Sequence, residues 1–219
     1  AANIDQALLL VTLRDPETPT EFVDRFLVTC EAYKVPVTIL LSKIDLQDAG
    51  AVAEFRAVYE RAGYRVLEVA APSGEGVGEV RSLLAGRRTL VSGNSGVGKS
   101  TLIRAIDPSL DIRTGEISES HRKGRHTTTF STMYPLSEGG AVIDTPGIKG
   151  FGLIDIDDAE LWHYFPEMMR VASGCRFYNC THTHEPGCAV VEAVRSGEIA
   201  FARYESYLKM LDEDDKYRK

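Results

Sequence analysis

No run of 18 apolar residues occurs along the 219-residue chain, so no segment reads as a membrane-spanning helix. The N-terminus also lacks the basic-then-apolar layout of a secretory signal, and the expected setting is the cytoplasm, away from membranes. Basic charge is in deficit, with 25 Lys and Arg against 32 Asp and Glu and a net charge of −7. That balance excludes nucleic-acid binding through bulk charge and leaves it only to a local patch. Cysteine is scarce: four residues in such a chain point to thiols or metal ligands rather than disulfides. Internal repeats and low-complexity tracts are absent, which excludes a repeat array. The hydrophobic fraction of 43% is enough for a full core, and the length suits one domain of about 150 residues plus a smaller one.

Continuous apolar runs at Ala7 to Val11 and Pro36 to Leu41, with Tyr64 to Val69 and Arg88 to Ser92, predict strands buried on both faces. Helical patterns separate them. Thr18, Pro19 and Glu21 form a capping signature ahead of Phe22, Phe26, Cys30 and Tyr33, which share one face. Asp48 is placed to cap a second helix whose Val52, Phe55, Tyr59 and Ala62 share a face before Gly63. Val77 to Leu84 predicts a third helix, ended by Gly86. Alternating strands and helices imply an α/β fold with a mostly parallel sheet. Phe130 to Leu136 and Ala141 to Asp144, with Gly139-Gly140 between, predict an antiparallel hairpin. Beyond Gly152 no strand candidate remains. Asp155 to Ala172 and Val190 to Leu211 predict helices, so the division is an α/β domain over 1–150 and a small helical domain over 151–219.

The pattern Gly93-Asn94-Ser95-Gly96-Val97-Gly98-Lys99-Ser100 is a phosphate-binding loop set between a strand and the helix that runs on through Thr101. Its glycines permit positive φ and bring N–H groups close to a ligand; Lys99 reaches β/γ-phosphates and Ser100 can ligate Mg²⁺. The base must be read elsewhere. Ser42-Lys43-Ile44-Asp45 lies at the end of the second strand, where Asp45 can accept from both N1–H and the 2-amino group of guanine. The Lys43 stem can cover the ring face. At the end of the third strand, Ala70-Ala71 can offer the Ala71 N–H to guanine O6. Downstream, Asp144-Thr145-Pro146-Gly147 can hold a Mg²⁺-bound water and approach the γ-phosphate. Gly124-Arg125-His126-Thr127-Thr128-Thr129 supplies threonines for Mg²⁺.

Cys175, Cys180 and Cys188 fall within fourteen residues, with His182 or His184 as a fourth ligand. Three thiolates and an imidazole make a closed tetrahedral zinc site of structural type.

The guanine-reading segments precede the phosphate loop by about fifty residues, the reverse of ordinary small GTPases. With that order, the Gly124 to Thr129 segment and Thr181-His182-Thr183-His184-Glu185-Pro186-Gly187-Cys188, the chain resembles the ribosome small-subunit-dependent GTPase A family. The likeness runs from Asn3-Ile4-Asp5-Gln6 to Arg203-Tyr204-Glu205-Ser206-Tyr207. It implies a circularly permuted P-loop GTPase domain followed by a helical zinc-binding domain, and hydrolysis of GTP to GDP during late maturation of the small ribosomal subunit. It implies the small subunit and its rRNA as partners of a monomer. The resemblance selects His182 over His184 for zinc and Thr128 over Thr127 for Mg²⁺.

Two departures stand out. The family usually carries an N-terminal OB-fold domain that binds RNA, which nothing before Asn3 supplies, and Ser42 replaces the usual Asn or Thr, which tethers neighbouring loops more extensively. Many GTPases place Gln after the Asp-x-x-Gly segment to orient the attacking water; here Ile148, a hydrocarbon, stands there. His126 in the Gly124 to Thr129 loop is the expected substitute. The basic run His121 to His126 is the expected rRNA contact. Two other readings are an ATP-using P-loop enzyme, which Asp45 opposes, and a nucleotide-tuned binding module with negligible turnover.

Overall fold

The computed structural model describes residues 3–110, 132–144 and 156–212. Six strands form one sheet in the order β3-β2-β1-β4-β6-β5: β1 is Gln6–Val11, β2 Val37–Ser42, β3 Arg65–Val69, β4 Arg88–Ser92, β5 Thr132–Pro135 and β6 Ala141–Asp144. All neighbours are parallel except β5 and β6, the antiparallel hairpin that the Gly139-Gly140 signal predicts. The apolar runs explain the layout. Every residue of β1 is buried, as a strand covered on both faces requires.

Contacts divide the chain into two units that are not linear segments. The first comprises residues 1–18, 35–53 and 65–149 and holds the whole sheet with the helices α3 (Val77–Leu84) and α4 (Lys99–Ile106). Leu8, Leu10, Leu40 and Leu67 from the sheet pack with Val80 and Leu84 of α3 and with Leu102 and Ile103 of α4. Asp107, at the end of α4, accepts from the backbone N–H of Ser109 and Ser137, tying that helix to the β5–β6 turn.

The second unit gathers residues 19–34, 54–64 and 150–219. It holds α1 (Thr20–Ala32) and the later part of α2 (Ala49–Ala62), with α5 (Pro166–Val171), α6 (Ala189–Arg195) and α7 (Phe201–Leu211). Its core joins Val28 of α1 to Phe165, Met168, Val190, Tyr207 and Met210. Inside it, Arg203 of α7 is fully buried and donates to Asp24 of α1 at 2.6 Å and to Glu167 of α5 at 2.7 Å. Tyr59 of α2 donates to the same Asp24 oxygen at 3.0 Å, and the Phe165 ring lies 4.7 Å from the guanidinium.

Several local expectations change. Thr18 does not cap α1: its buried hydroxyl accepts from the Thr12 N–H at 3.1 Å, and Pro19 occupies the cap. Of the expected face of α1, Phe26 and Cys30 are buried, joined by Val23, Leu27 and Val28, while Phe22 is half-buried and Tyr33, at the end of the helix, is 68% exposed. Burial pushes the Cys30 thiol up to about 12, as suits an inert core residue. Asp48 does cap α2, accepting from the Ala51 N–H at 2.9 Å. The helix expected over Asp155 to Ala172 is instead a 3₁₀ turn, Leu161–Tyr164, and the short α5, because Pro166 lacks the N–H that would continue a helix and starts a new one instead. The tail expected over Val190 to Leu211 is broken into α6 and α7 at Ser196-Gly197, where Gly197 takes φ +78°.

Candidate nucleotide site and metal cluster

Strand β4 ends at Ser92 and the phosphate loop follows at once, with Gly93, Gly96 and Gly98 at φ +145°, +85° and +101°. Gly93 is required twice over, since a Cβ there would meet the Leu10 carbonyl oxygen of neighbouring β1 at 2.6 Å. Val97 is fully buried and anchors the loop in the core. Lys99 opens α4, and its buried ammonium donates to the carbonyls of Gly93 at 2.5 Å and Asn94 at 2.8 Å. Ser100 and Thr101 follow in the first turn of that helix.

The segments expected to read guanine stand at the same end of the sheet. Ser42 ends β2, is buried, and has its hydroxyl 3.1 Å from where a Cβ of Gly98 would lie. Lys43 takes φ +58° and directs the chain into the 3₁₀ turn Ile44–Leu46, which leaves Asp45 exposed. Val69 of β3 pairs with Ser42, so Ala70 and Ala71 follow beside it. Ala70 closes a tight loop, donating to Glu75 and accepting from Gly74, both at 3.0 Å. Gly76 makes that loop possible: at φ +73°, a Cβ would overlap the Glu68 carbonyl oxygen. The backbone of Asp144 ends β6 beside Val91 of β4. His126, Thr127, Thr128, Gly147 and Ile148, with the His121 to His126 run, lie outside the described residues. The structure thus brings together the phosphate loop, Ser42, Lys43, Asp45 and the Ala70-Ala71 turn on the ends of β4, β2 and β3.

The second cluster lies in the helical unit. Ligand atoms of Cys175, Cys180, His182 and Cys188 all lie within 4.8 Å of one another. Nδ1 of His182 is 3.6 Å from Sγ of Cys175 and 3.5 Å from Sγ of Cys188, and the two sulfurs are 4.0 Å apart. A tetrahedral zinc with ordinary bond lengths needs edges of about 3.6 Å for sulfur to nitrogen and about 3.8 Å for sulfur to sulfur. The Cys175, His182 and Cys188 separations match such edges, and with Cys180 the four residues are compatible with a zinc ion. His184 is exposed and spends its Nδ1 on the Thr183 hydroxyl, so His182 belongs to the cluster on geometry as well.

Burial holds His182 toward its neutral, ligating form and pushes the Cys180 thiol up to about 12, so an ion there must displace thiol protons. The Ala189 and Val191 N–H groups donate to the sulfurs of Cys175 and Cys188. Tyr204 and Tyr207 of α7 donate to the carbonyls of His182 and Thr181. Glu185 accepts from the Thr181 and Thr183 backbone and the Thr181 hydroxyl, which holds its carboxyl well below the usual range.

The family description RsgA GTPase matches residues 1–154. The Small ribosomal subunit biogenesis GTPase RsgA of Porphyromonas gingivalis is 53% identical over 99% of this chain and 71% of its own length. The chain belongs to the RsgA GTPase family. Another member, from Bacteroides fragilis, is 51% identical over the whole chain and 72% of its own length. The crystal structure of YjeQ from Thermotoga maritima superposes with a TM-score of 0.81 at 39% identity, over 95% of this chain and 70% of that one. YloQ, described as a circularly permuted GTPase, gives 0.75 at 28% identity, over 95% and 67%.

RsgA GTPases therefore supply the frame in which the motif order makes sense: the fold is that of a circularly permuted GTPase, with β2 and β3, whose ends carry the segments expected to read the base, ahead of β4 and its phosphate loop. Motif reading passed over the segment Thr12 to Thr18, whose Asp15 carbonyl accepts from the Lys43 ammonium at 2.7 Å. It also passed over the Asp24-Arg203-Glu167 network, for which the only sequence signal is a lone acidic residue on the apolar face of α1.

Proposed function

We propose that the chain hydrolyses GTP to GDP and phosphate by in-line attack of water, and that it does so on the small ribosomal subunit to assist its late maturation. The observation that carries this reading is the seating of Ser42 against Gly98, which sets the guanine-reading turn and the phosphate loop at one end of one sheet. Lys99 and the loop N–H groups neutralise the phosphates, and Asp45 selects the base. Ser100, with Thr128, holds Mg²⁺, which supplies charge stabilisation at the phosphates; Asp144 acts through water. Gly147 approaches the γ-phosphate, and His126 orients the attacking water in place of Ile148.

Phosphate release measured with and without purified small subunits tests the reading. Slow turnover alone and strong stimulation by subunits are expected, with GTP but not ATP displacing labelled GDP. Unstimulated, negligible turnover would favour a nucleotide-tuned binding module instead.

The 1–150 segment serves as the nucleotide domain and 151–219 as a zinc-binding domain in which Cys175, Cys180, His182 and Cys188 hold one structural zinc. With four protein ligands no open position is left for catalysis there. The partner within the subunit is rRNA, met by a monomer in the cytoplasm. Support for an RNA contact comes from the tip between two metal ligands: Tyr178 is fully exposed, Phe177 is 40% exposed, and Arg176 lies 5.4 Å over the Phe177 ring. Exposed rings beside a guanidinium suit unpaired bases and their phosphates. No helix among the described residues is long and apolar enough to cross a membrane.

A further inference from the structure

Between β1 and α1 the chain makes a closed loop, Thr12 to Thr18. Its neck is fastened three times: the Thr18 N–H donates to the Thr12 carbonyl at 2.8 Å, the Thr12 N–H donates to the Thr18 hydroxyl at 3.1 Å, and the Thr12 hydroxyl donates to the Pro16 carbonyl. Thr12 and Thr18 are buried, whereas Arg14, Asp15 and Pro16 project outward from this neck. The projecting part makes two contacts at the nucleotide site. The Asp15 carbonyl accepts from the Lys43 ammonium at 2.7 Å, and the Pro16 ring lies 3.5 Å from where a Cβ of Gly96 would be. A third, longer bond runs from the Gln47 side chain to the Arg14 carbonyl at 3.4 Å.

From this juxtaposition we infer that the Thr12 to Thr18 loop is a positioning wall of the nucleotide site, holding Lys43 over the base through the Asp15 carbonyl and backing the phosphate loop through Pro16. The inference rests on the nucleotide-site reading above and adds to it an element outside the phosphate loop and the guanine-reading motif. The physics is preorganisation. Lysine has a long, freely rotating side chain, and fixing it only when ligand arrives would subtract from affinity. A backbone carbonyl that already holds the ammonium removes much of that loss, and a carbonyl on a loop fastened at both ends does so better than one on a free loop. Pro16 acts on the other motif: Gly96 has no side chain to fill the space beside it, and the proline ring does so without needing a hydrogen bond of its own.

The test is release of a fluorescent GDP analogue from the full chain by stopped flow, alongside thermal unfolding. Thr18→Val removes the hydroxyl acceptor at the neck while keeping the side-chain volume, and Pro16→Gly removes the ring from an exposed position. Each is expected to speed release by about three- to tenfold, the range for a rotamer-rich side chain that must be fixed on binding. Thr18→Ser restores the slow rate. In a double-mutant cycle, Thr18→Val accelerates release by a smaller factor when Lys43 is already Met, because the tie it loosens is gone.

Wild-type release rates in both folded variants would overturn the inference. So would full additivity with Lys43→Met, or a loss that tracks lowered thermal stability and is not restored by Thr18→Ser. A wild-type protein that binds GDP and ADP equally would instead defeat the guanine reading while leaving the release comparison intact.

Discussion

At the scale of single residues, the proposed function rests base choice on Asp45, an exposed carboxylate in a 3₁₀ turn that follows the left-handed Lys43. A carboxylate offers two acceptors, which matches the paired N–H donors of guanine. Asp45→Asn replaces one acceptor by a donor and so matches xanthine, whose 2-position carries a carbonyl. Competition binding should show GTP affinity falling about tenfold or more while xanthosine triphosphate gains, since an unpaired polar group in a site rejects the wrong partner strongly. Unchanged preference for GTP would show that another residue reads the base.

Asp107 makes a pH prediction. Hydrogen bonds from Ser109 and the Ser137 backbone hold its carboxyl at about 2, below its ordinary value. A depressed folded value means its contribution to stability is complete above the unfolded value of about 4 and is lost as pH falls toward 2. Asp107→Asn should therefore lower the unfolding midpoint at pH 6 and flatten its decline between pH 4 and 2. Equal slopes for both proteins would count against it.

At the scale of elements, the buried Arg203 pair set is the joint of the helical unit, linking α1, α5 and α7 in one network. Arg203→Met leaves the Asp24 and Glu167 carboxylates buried without their cation. Denaturant unfolding should show a loss of about 3–5 kcal/mol, the usual result of breaking a buried pair from one side. Replacing all three by apolar residues should cost much less.

This network also shows where sequence reading stops. Strands were legible because runs such as Ala7 to Val11 have one reading, and the capping role of Asp48 was legible because it is local. Arg203 and Asp24 are 179 residues apart, and nothing in either neighbourhood names the other. Thr18 misled for the converse reason: its local spacing to Glu21 suits a cap, yet the tertiary loop takes its hydroxyl. The phosphate loop, Ser42, Lys43, Asp45 and the Cys/His spacing were legible because each motif carries its own chemistry, while the Asp15 carbonyl could not be, since a backbone group leaves no mark in the sequence.

At the scale of the whole molecule, the metal cluster and the nucleotide site belong to different contact units. On the zinc site proposed above, a chelator should melt the helical unit, because its Cys/His loop core then depends on a metal that displaces protons from ligands such as Cys180, whose thiol burial pushes up. Tyrosine near-UV dichroism would report this, and GDP affinity measured in parallel should fall far less than the dichroism. Cys188→Ser should reproduce the change without chelator. A full loss of GDP binding together with the dichroism would mean the two units unfold as one.

The assembly of the helical unit from remote stretches bears on how the chain is made. Helix α1 leaves the ribosome carrying Asp24, but Arg203 is synthesised 179 residues later. At 5–20 residues per second that is a wait of roughly 10 to 35 s. Until then the nascent chain must keep a carboxylate out of the apolar surroundings it will finally occupy. The sheet, complete once Asp144 has emerged, is free to form before α1 reaches its final environment, so α7 closes a structure begun by α1.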